Sequence, residues 1–405
     1  MTIFLLVIIY LAFISLGLPD SLLGVAWPVM QSDFGAPLDT AGFLFMTIAG
    51  GTIISSLVSG KVINRFGTSK VTVVSVLMTA GALLGFHFAP SIVWLVVCAI
   101  PLGLGAGAVD AGLNDYVATH YKAHHMSWLH CFWGVGATLG PIIMAQFISG
   151  QSSWRNGYFT IAGIQFVLVI ILFLTLPLWN RVTKTSTITV NEERVDDHED
   201  AKDVKPLQIK GVKLALISFL FYCGVESTVG LWGSSFLVNV KELDAALAAQ
   251  WVSLYYGGIT IGRFITGFIT FKIRNLTLIR MGQLIALVGA ALLFLPLPST
   301  FSLVGFIMIG LGLAPIFPCM LHETPTRFGK KHSQTIMGYQ MAVAYTGSTL
   351  MPPLLGFIAS HSTIGIFPFC IVVFVAAMLL SSEKLNSLLK KQGLLNREDT
   401  SSTAF

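Results

Sequence analysis

Apolar stretches of about twenty residues recur along this chain and leave room for few other architectures. A bilayer core about 30 Å thick is crossed by roughly 20 residues of helix, and backbone groups facing lipid must be paired within their own segment. Such stretches fall near 3–27, 41–60, 71–89, 92–119, 127–150 and 158–179, then near 211–237, 247–271, 277–296, 301–322, 334–360 and 364–381. Only 11% of the 405 residues carry a formal charge and 54% are hydrophobic, whereas soluble domains carry about 25% charge. So few charges cannot cover a soluble surface of this size, which excludes a soluble enzyme and a nucleic-acid binder. The expected fold class is an all-α membrane protein with twelve transmembrane helices in two six-helix lobes. The expected layout is an N-terminal lobe over 1–180, a cytoplasmic linker over 181–210, a C-terminal lobe over 211–385 and a disordered cytoplasmic tail over 386–405.

The linker assignment rests on Glu192, Glu193, Asp196, Asp197, Glu199, Asp200 and Asp203 standing among Ser, Thr and Lys, a composition that cannot bury a core. Lys and Arg set the orientation. Lys61, Arg65, Lys70, Lys122, Lys272, Arg274, Arg280, Arg327, Lys330, Lys331 and the linker and tail cations share one side, against Arg155 and Lys241 on the other. Both termini are therefore expected in the cytoplasm, in a multi-pass protein of a cell membrane, with a bacterial inner membrane favoured. The net charge of +5 follows from that asymmetry and needs no nucleic-acid partner. Cys98, Cys131, Cys223, Cys319 and Cys370 lie in apolar segments without paired spacing, and read as small buried hydrophobes. His120 and His124 have helical ligand spacing, but no Cys or carboxylate completes a tetrahedral set, so no metal site is expected. No phosphate-binding loop or nucleophile motif is present, and the chain is not expected to be an enzyme.

An ionised group at bilayer depth costs a few kcal/mol and needs a reason to be there. Outside loops, linker and tail the short set is Asp20, Asp110, Asp115, Glu226 and Glu323, with Arg263 as the one cation. Pro19 beside Asp20 removes a backbone donor and invites a break in the first helix. Asp110 and Asn114 share a helix face, as do His130 and Trp133. Glu226 lies near mid-span with Trp232 beyond it. The alternative for each acid is a structural one, a helix-end Asp or a fixed clamp between helices. Counting residues places Asp20 about 28 Å from the inner end of its span and Asp110 about 28 Å from the outer end of its own. Whether the two share one site, or Asp20 is an outer gate, stays open.

Four stretches resemble a known family. Leu18-Pro19-Asp20-Ser21-Leu22-Leu23, Asp110-Ala111-Gly112-Leu113-Asn114, Leu129-His130-Cys131-Phe132-Trp133-Gly134 and Tyr222-Cys223-Gly224-Val225-Glu226 with Trp232 are similar to segments of the fucose permease and glucose symporter-like branch of the major facilitator superfamily. Gly60 to Lys70 resembles a degenerate form of that superfamily's signature loop, with Asn64 where an acid usually stands and Trp133 where a smaller residue is common. The resemblance implies proton coupling through the helix 4 acid and a solute site on helix 5. It leads to a secondary active transporter importing a small neutral solute, most readily a sugar, by cation symport through alternating access. Asp110, Asp20 and Glu226 would handle the coupling ion, H⁺ or else Na⁺, with no other cofactor. Asp20, Asn114, His130, Trp133, Glu226, Trp232 and Gln340 would line the solute site. Arg65 with Asp115, and Arg263 with Glu323, would form gates. The solute and the lipid bilayer are the expected partners, with the protein a monomer. A proton-driven exporter of amphipathic compounds and a non-transporting sensor or scaffold are the rival readings.

Overall fold

A computed structural model describes residues 2–121, 123–149, 153–179, 206–270 and 272–391. Most of the expected linker and the last fourteen residues lie outside that set. In the first half the helices are α1 (Thr2–Asp20), α2 (Leu22–Phe34), α3 (Thr40–Phe66), α4 (Thr68–His87), α5 (Ile92–His120), α6 (Ala123–Ser149) and α7 (Trp154–Leu174). The second half has α8 (Val212–Lys241), α9 (Ala245–Ile269), α10 (Asn275–Phe294), α11 (Ser299–Leu313), α12 (Ile316–His322), α13 (Thr324–Phe328), α14 (Lys330–Ser360) and α15 (Phe367–Lys391). Eleven spans among the described residues are long and apolar enough to cross a membrane. The twelfth, α9, is 25 residues long, but Gln250, Tyr255, Tyr256 and Arg263 lower its mean hydropathy.

Two boundaries differ from those read in the sequence. α1 and α2 form one span over Phe4–Phe34, longer than the expected 3–27, because Pro28, Gln31 and Asp33 continue the helix where their polarity suggested its end. The last helix runs to Lys391, past the expected start of a disordered tail at 386. Its Leu385 and Leu389 are buried against Val212, Phe328 and Ile336, so apolar spacing carries the helix beyond its last lipid-facing turn.

The break between α1 and α2 has a local cause. Pro19 has no N–H to give the Ser15 carbonyl one turn earlier. The Gln165 side-chain amide on α7 takes over, donating to Ser15 O at 2.8 Å, while Thr79 on α4 donates to Gln165 Oε1 at 2.8 Å. The freed carbonyl is therefore satisfied inside the bundle, as a dry environment requires.

Small residues set how closely helices approach. A methyl added at Gly136 would run into the Ile14 carbonyl, one at Gly17 into the Trp133 carbonyl and one at Gly140 into the Leu18 carbonyl, so α1 lies directly on α6. Across the halves α6 packs along α9, α3 along α14 and α2 along α8. At one end of the bundle these contacts are backbone-close: Gly24 meets the Gly230 carbonyl, and a Cβ at Gly42 would sit 2.9 Å from Pro353 Cα. Gly136→Ala is expected to lower stability by about 1–3 kcal/mol through overpacking. Gly81→Ala, where nothing lies within 4 Å of an added methyl, should hold or slightly raise it. Thermal unfolding of the purified variants, followed by monodisperse fraction against temperature, checks both.

Candidate functional site

Between the halves lies a cavity of about 1230 Å³. It exceeds the roughly 300–1,000 Å³ of an enclosed small-molecule pocket, because it is open at one end. Its lining runs from Gly24 and Leu231, beside the closed α2–α8 contact, past Asp20 at mid-bundle to Trp128, Thr270, Asn275 and His322. The latter group lies at the end of the bundle that carries α1's start and the Lys-rich loops. The opposite end is where the glycine contacts between α2 and α8 shut the halves together.

Six of the residues singled out in the sequence line this one cavity: Asp20, Asp110, His130, Trp133, Glu226 and Arg263. The open question about Asp20 and Asp110 is answered by the longer first span. Within Phe4–Phe34, Asp20 sits at the centre and no longer near an outer face. The helix break at Ser21 leaves its carboxylate accessible from the cavity. Oδ2 accepts the indole N–H of Trp133 at 2.7 Å. On α5, Asp110 Oδ1 accepts from Asn114 Nδ2 at 2.9 Å, and the same amide bonds the Asp110 carbonyl at 2.9 Å. Among the described residues, neither carboxylate has a cation within ion-pair distance.

The second half differs. Arg263 Nη2 lies 3.1 Å from Glu226 Oε1 and 3.4 Å from the Tyr222 hydroxyl, with the two charged side chains 15% and 18% exposed. Tyr255 donates to the Glu226 carbonyl at 3.1 Å. The guanidinium also stands 5.5 Å from the Trp133 ring centroid, from the other half of the bundle. His130 meets Phe13 edge-on at 6.0 Å between centroids.

The structure does not bring all of the expected partners together, and the two gate pairs stand apart, as pairs that part in an inward-open state would. Arg263 pairs with Glu226 and not with Glu323, because α9 runs beside α8, which brings their inward faces together. Glu323 instead accepts from Asn275 at 2.8 Å and lies 3.6 Å from Arg327. Arg65 is exposed, 5.5 Å over the Phe66 ring, and no ion pair joins it to Asp115 among the described residues. Trp232 is fully buried away from the cavity and donates to the Pro352 carbonyl at 2.7 Å. Gln340 is buried behind α13, accepting from Thr324 at 3.0 Å. Asn114 is turned onto Asp110 and does not reach the lining. The lining instead includes Tyr256, Tyr345, Ser227, Ser348, Thr52 and Asn275, which carry no charge and so gave no signal in the sequence. Among the described residues no three His, Cys, Asp or Glu side chains converge as a metal site would.

The model of the Major Facilitator Superfamily matches residues 9–352. The chain belongs to that superfamily, and it is a multi-pass membrane transporter. It is 24% identical to the glucose/mannose transporter GlcP of Bacillus subtilis (strain 168), over 90% of this chain and 92% of that one. It is 21% identical to the cis,cis-muconate transport protein of Acinetobacter baylyi (strain ATCC 33305 / BD413 / ADP1), over 88% and 87%. The fold matches the crystal structure of a D-xylose-proton symporter with a TM-score of 0.73 at 14% identity, covering 94% of this chain and 96% of that one. These likenesses span a neutral sugar and a dicarboxylate, so the solute has to be argued from the cavity.

Removing one member of the Arg263–Glu226 pair leaves a buried charge uncompensated. Arg263→Met is expected to cost about 3–5 kcal/mol, and Arg263→Met with Glu226→Gln to recover most of it. A thermal-stability comparison of the single and double variants decides the point.

Proposed function

We propose that the protein imports a small neutral solute, a sugar, by proton-coupled symport through alternating access. The observation that carries this reading is the charge balance of the cavity: three carboxylates face it against one guanidinium, and that guanidinium is taken by Glu226. Asp20 and Asp110 are left as ionisable groups without a cation. An anionic solute would meet net negative charge, which argues against a dicarboxylate. A neutral ring bearing hydroxyls suits the site better. The indole and phenol faces of Trp133 and Tyr256 stack on its apolar side, while Ser227, Ser348, Thr52 and the carboxylates take its hydroxyls.

The ion follows from the same contacts. Hard metal cations take shells of oxygen ligands, yet each free carboxylate already faces an N–H donor, Trp133 on Asp20 and Asn114 on Asp110. Each leaves the second carboxylate oxygen open, which is all a proton requires, whereas among the described residues no three His, Cys, Asp or Glu side chains converge to supply the shell a metal cation takes. Closing the cavity around an ionised Asp20 or Asp110 is costly, and protonation removes that cost. The empty, deprotonated carrier therefore resists changing sides and the loaded one does not. The Lys and Arg distribution supports a topology with both termini in the cytoplasm, in which the cavity opens inward, and both halves of the pathway belong to one chain, which supports a monomer.

The cavity's volume and the Phe13, Phe45, Phe264, Phe268 and Phe317 on its wall favour one second reading, export of amphipathic compounds. Proteoliposomes enclosing a pH dye separate the two. Addition of the transported sugar should acidify the lumen with or without Na⁺, and Asp110→Asn should abolish that signal. Silence across a panel of hexoses and pentoses, from protein shown to be folded, would sink the sugar reading in favour of export. Uptake that needs Na⁺ and moves no proton would overturn the choice of ion.

A further inference from the structure

We infer that Trp133 is a positioning residue that ties the proton state of Asp20 in the first half to the Arg263–Glu226 pair of the second. The inference rests on the reading of Asp20 as a group that carries a proton during transport, and it concerns a role apart from lining the solute site.

Trp133 is held where two close helix approaches meet. On one side the absence of a side chain at Gly17 lets α1 reach the Trp133 carbonyl, which places Asp20, one turn further on, against the indole edge. On the other side Gly134 admits Thr260 of α9 into the space a Cβ would fill. Arg263, one turn beyond Thr260, then comes over the indole face. The result is a continuous chain: Asp20 Oδ2 accepts the indole N–H at 2.7 Å, the Arg263 guanidinium carbon lies 5.5 Å from the ring centroid, and Arg263 Nη2 lies 3.1 Å from Glu226 Oε1. The indole also packs against both large apolar clusters of the protein, so it has little freedom to leave either partner.

The two contacts on one ring reinforce each other. An N–H that donates to a carboxylate pushes electron density into the indole, and a richer π-face attracts a guanidinium more strongly. A cation over the face in turn makes the N–H a better donor, the cooperativity expected of linked polar contacts in a low dielectric. A proton on Asp20 removes the charged acceptor and loosens the indole's hold on Arg263 at the α6–α9 contact between the halves. The other ionisable groups facing this unit are Asp110 from α5 and Tyr256 from α9, opposite Asp20, and His130 and Cys131 from α6, Tyr222 and Cys223 from α8 and Tyr255 from α9, opposite the Arg263–Glu226 pair. Tyr256 also faces both Asp20 and Glu226, but only the indole joins the halves by a hydrogen bond to Asp20 and a ring contact with Arg263.

The test follows the carboxylic-acid C=O band of Asp20 by infrared titration of the full-length protein in lipid without solute, with Asp20→Asn identifying the band. Trp133→Phe keeps an aromatic face and loses the N–H. Its midpoint should move up by roughly one to two pH units, the size of a charge-assisted hydrogen bond. Arg263→Lys, which keeps a cation for Glu226 but loses the planar stack, should move it up by less, and should add nothing in the Trp133→Phe background. In the unsubstituted protein the indole N–H band of Trp133 should shift with the same midpoint as the carboxyl band, a measurement that does not depend on any variant folding. An unmoved midpoint in Trp133→Phe, shifts that simply sum in the double variant, or an indole band indifferent to pH would each overturn the bridge. A wall residue that only stacks on solute would leave all three signals still. A sugar-driven proton signal with an unmoved midpoint sinks the bridge and leaves symport standing; a moved midpoint without a sugar-driven proton signal does the reverse.

Discussion

Helix α6 would stand a side chain's width away from α1 and α9 without the glycines along it, and the cavity would then lose its polar geometry. Gly136 and Gly140 bed α1, which donates Gly17 to the same contact, and Gly134 admits α9. Such approaches are how helices associate in lipid, where burial of apolar surface gives no advantage over the solvent. Here the same approaches fix the register between three chains of functional groups: Asp20 against Trp133, Trp133 under Arg263, and Arg263 against Glu226. Packing and electrostatics are thus one problem in this bundle, solved by residues that contribute no side chain.

The charges themselves are divided unevenly. In the second half Glu226 and Arg263 neutralise one another with Tyr222 in attendance, and the pair travels with its half at constant charge. In the first half Asp20 and Asp110 have only neutral donors, each worth about 1–3 kcal/mol to an ionised acceptor, which is less than full transfer of a carboxylate into a closed, low-dielectric space demands. Under the proposed symport the first half is the one whose electrostatic cost changes on loading.

Much of this architecture was legible because lipid imposes a coarse rule. Long apolar runs, the Lys and Arg asymmetry and the rarity of intramembrane charge pointed to the fold and to the six cavity residues without any knowledge of packing. Which helices are neighbours is what the sequence does not reveal. Position along the sequence pairs Arg263 with Glu323, whereas α9 beside α8 brings Glu226 to it. Trp232 and Gln340 carry the same side-chain chemistry as lining residues, but they face Pro352 and Thr324. Tyr256 and Tyr345 give no signal in the sequence because a tyrosine in a membrane helix is unexceptional by composition. The polarity of Gln31 and Asp33 reads as loop and shortens the first span, which sets Asp20 near an outer face, whereas in Phe4–Phe34 it lies at the centre.

An uneven division of charge also constrains how the solute can act. A ligand that bound only to the second half would meet a site already in balance and could not alter the cost of closing the first. A ligand that bound only to Asp20 and Asp110 would relieve that cost whichever half moved, and would make a leak of its own. Coupling needs a group that senses the first half's charge and touches the second half's pair. In the proposed symport the indole of Trp133, bonded to Asp20 and under Arg263 on the cavity wall, holds that position.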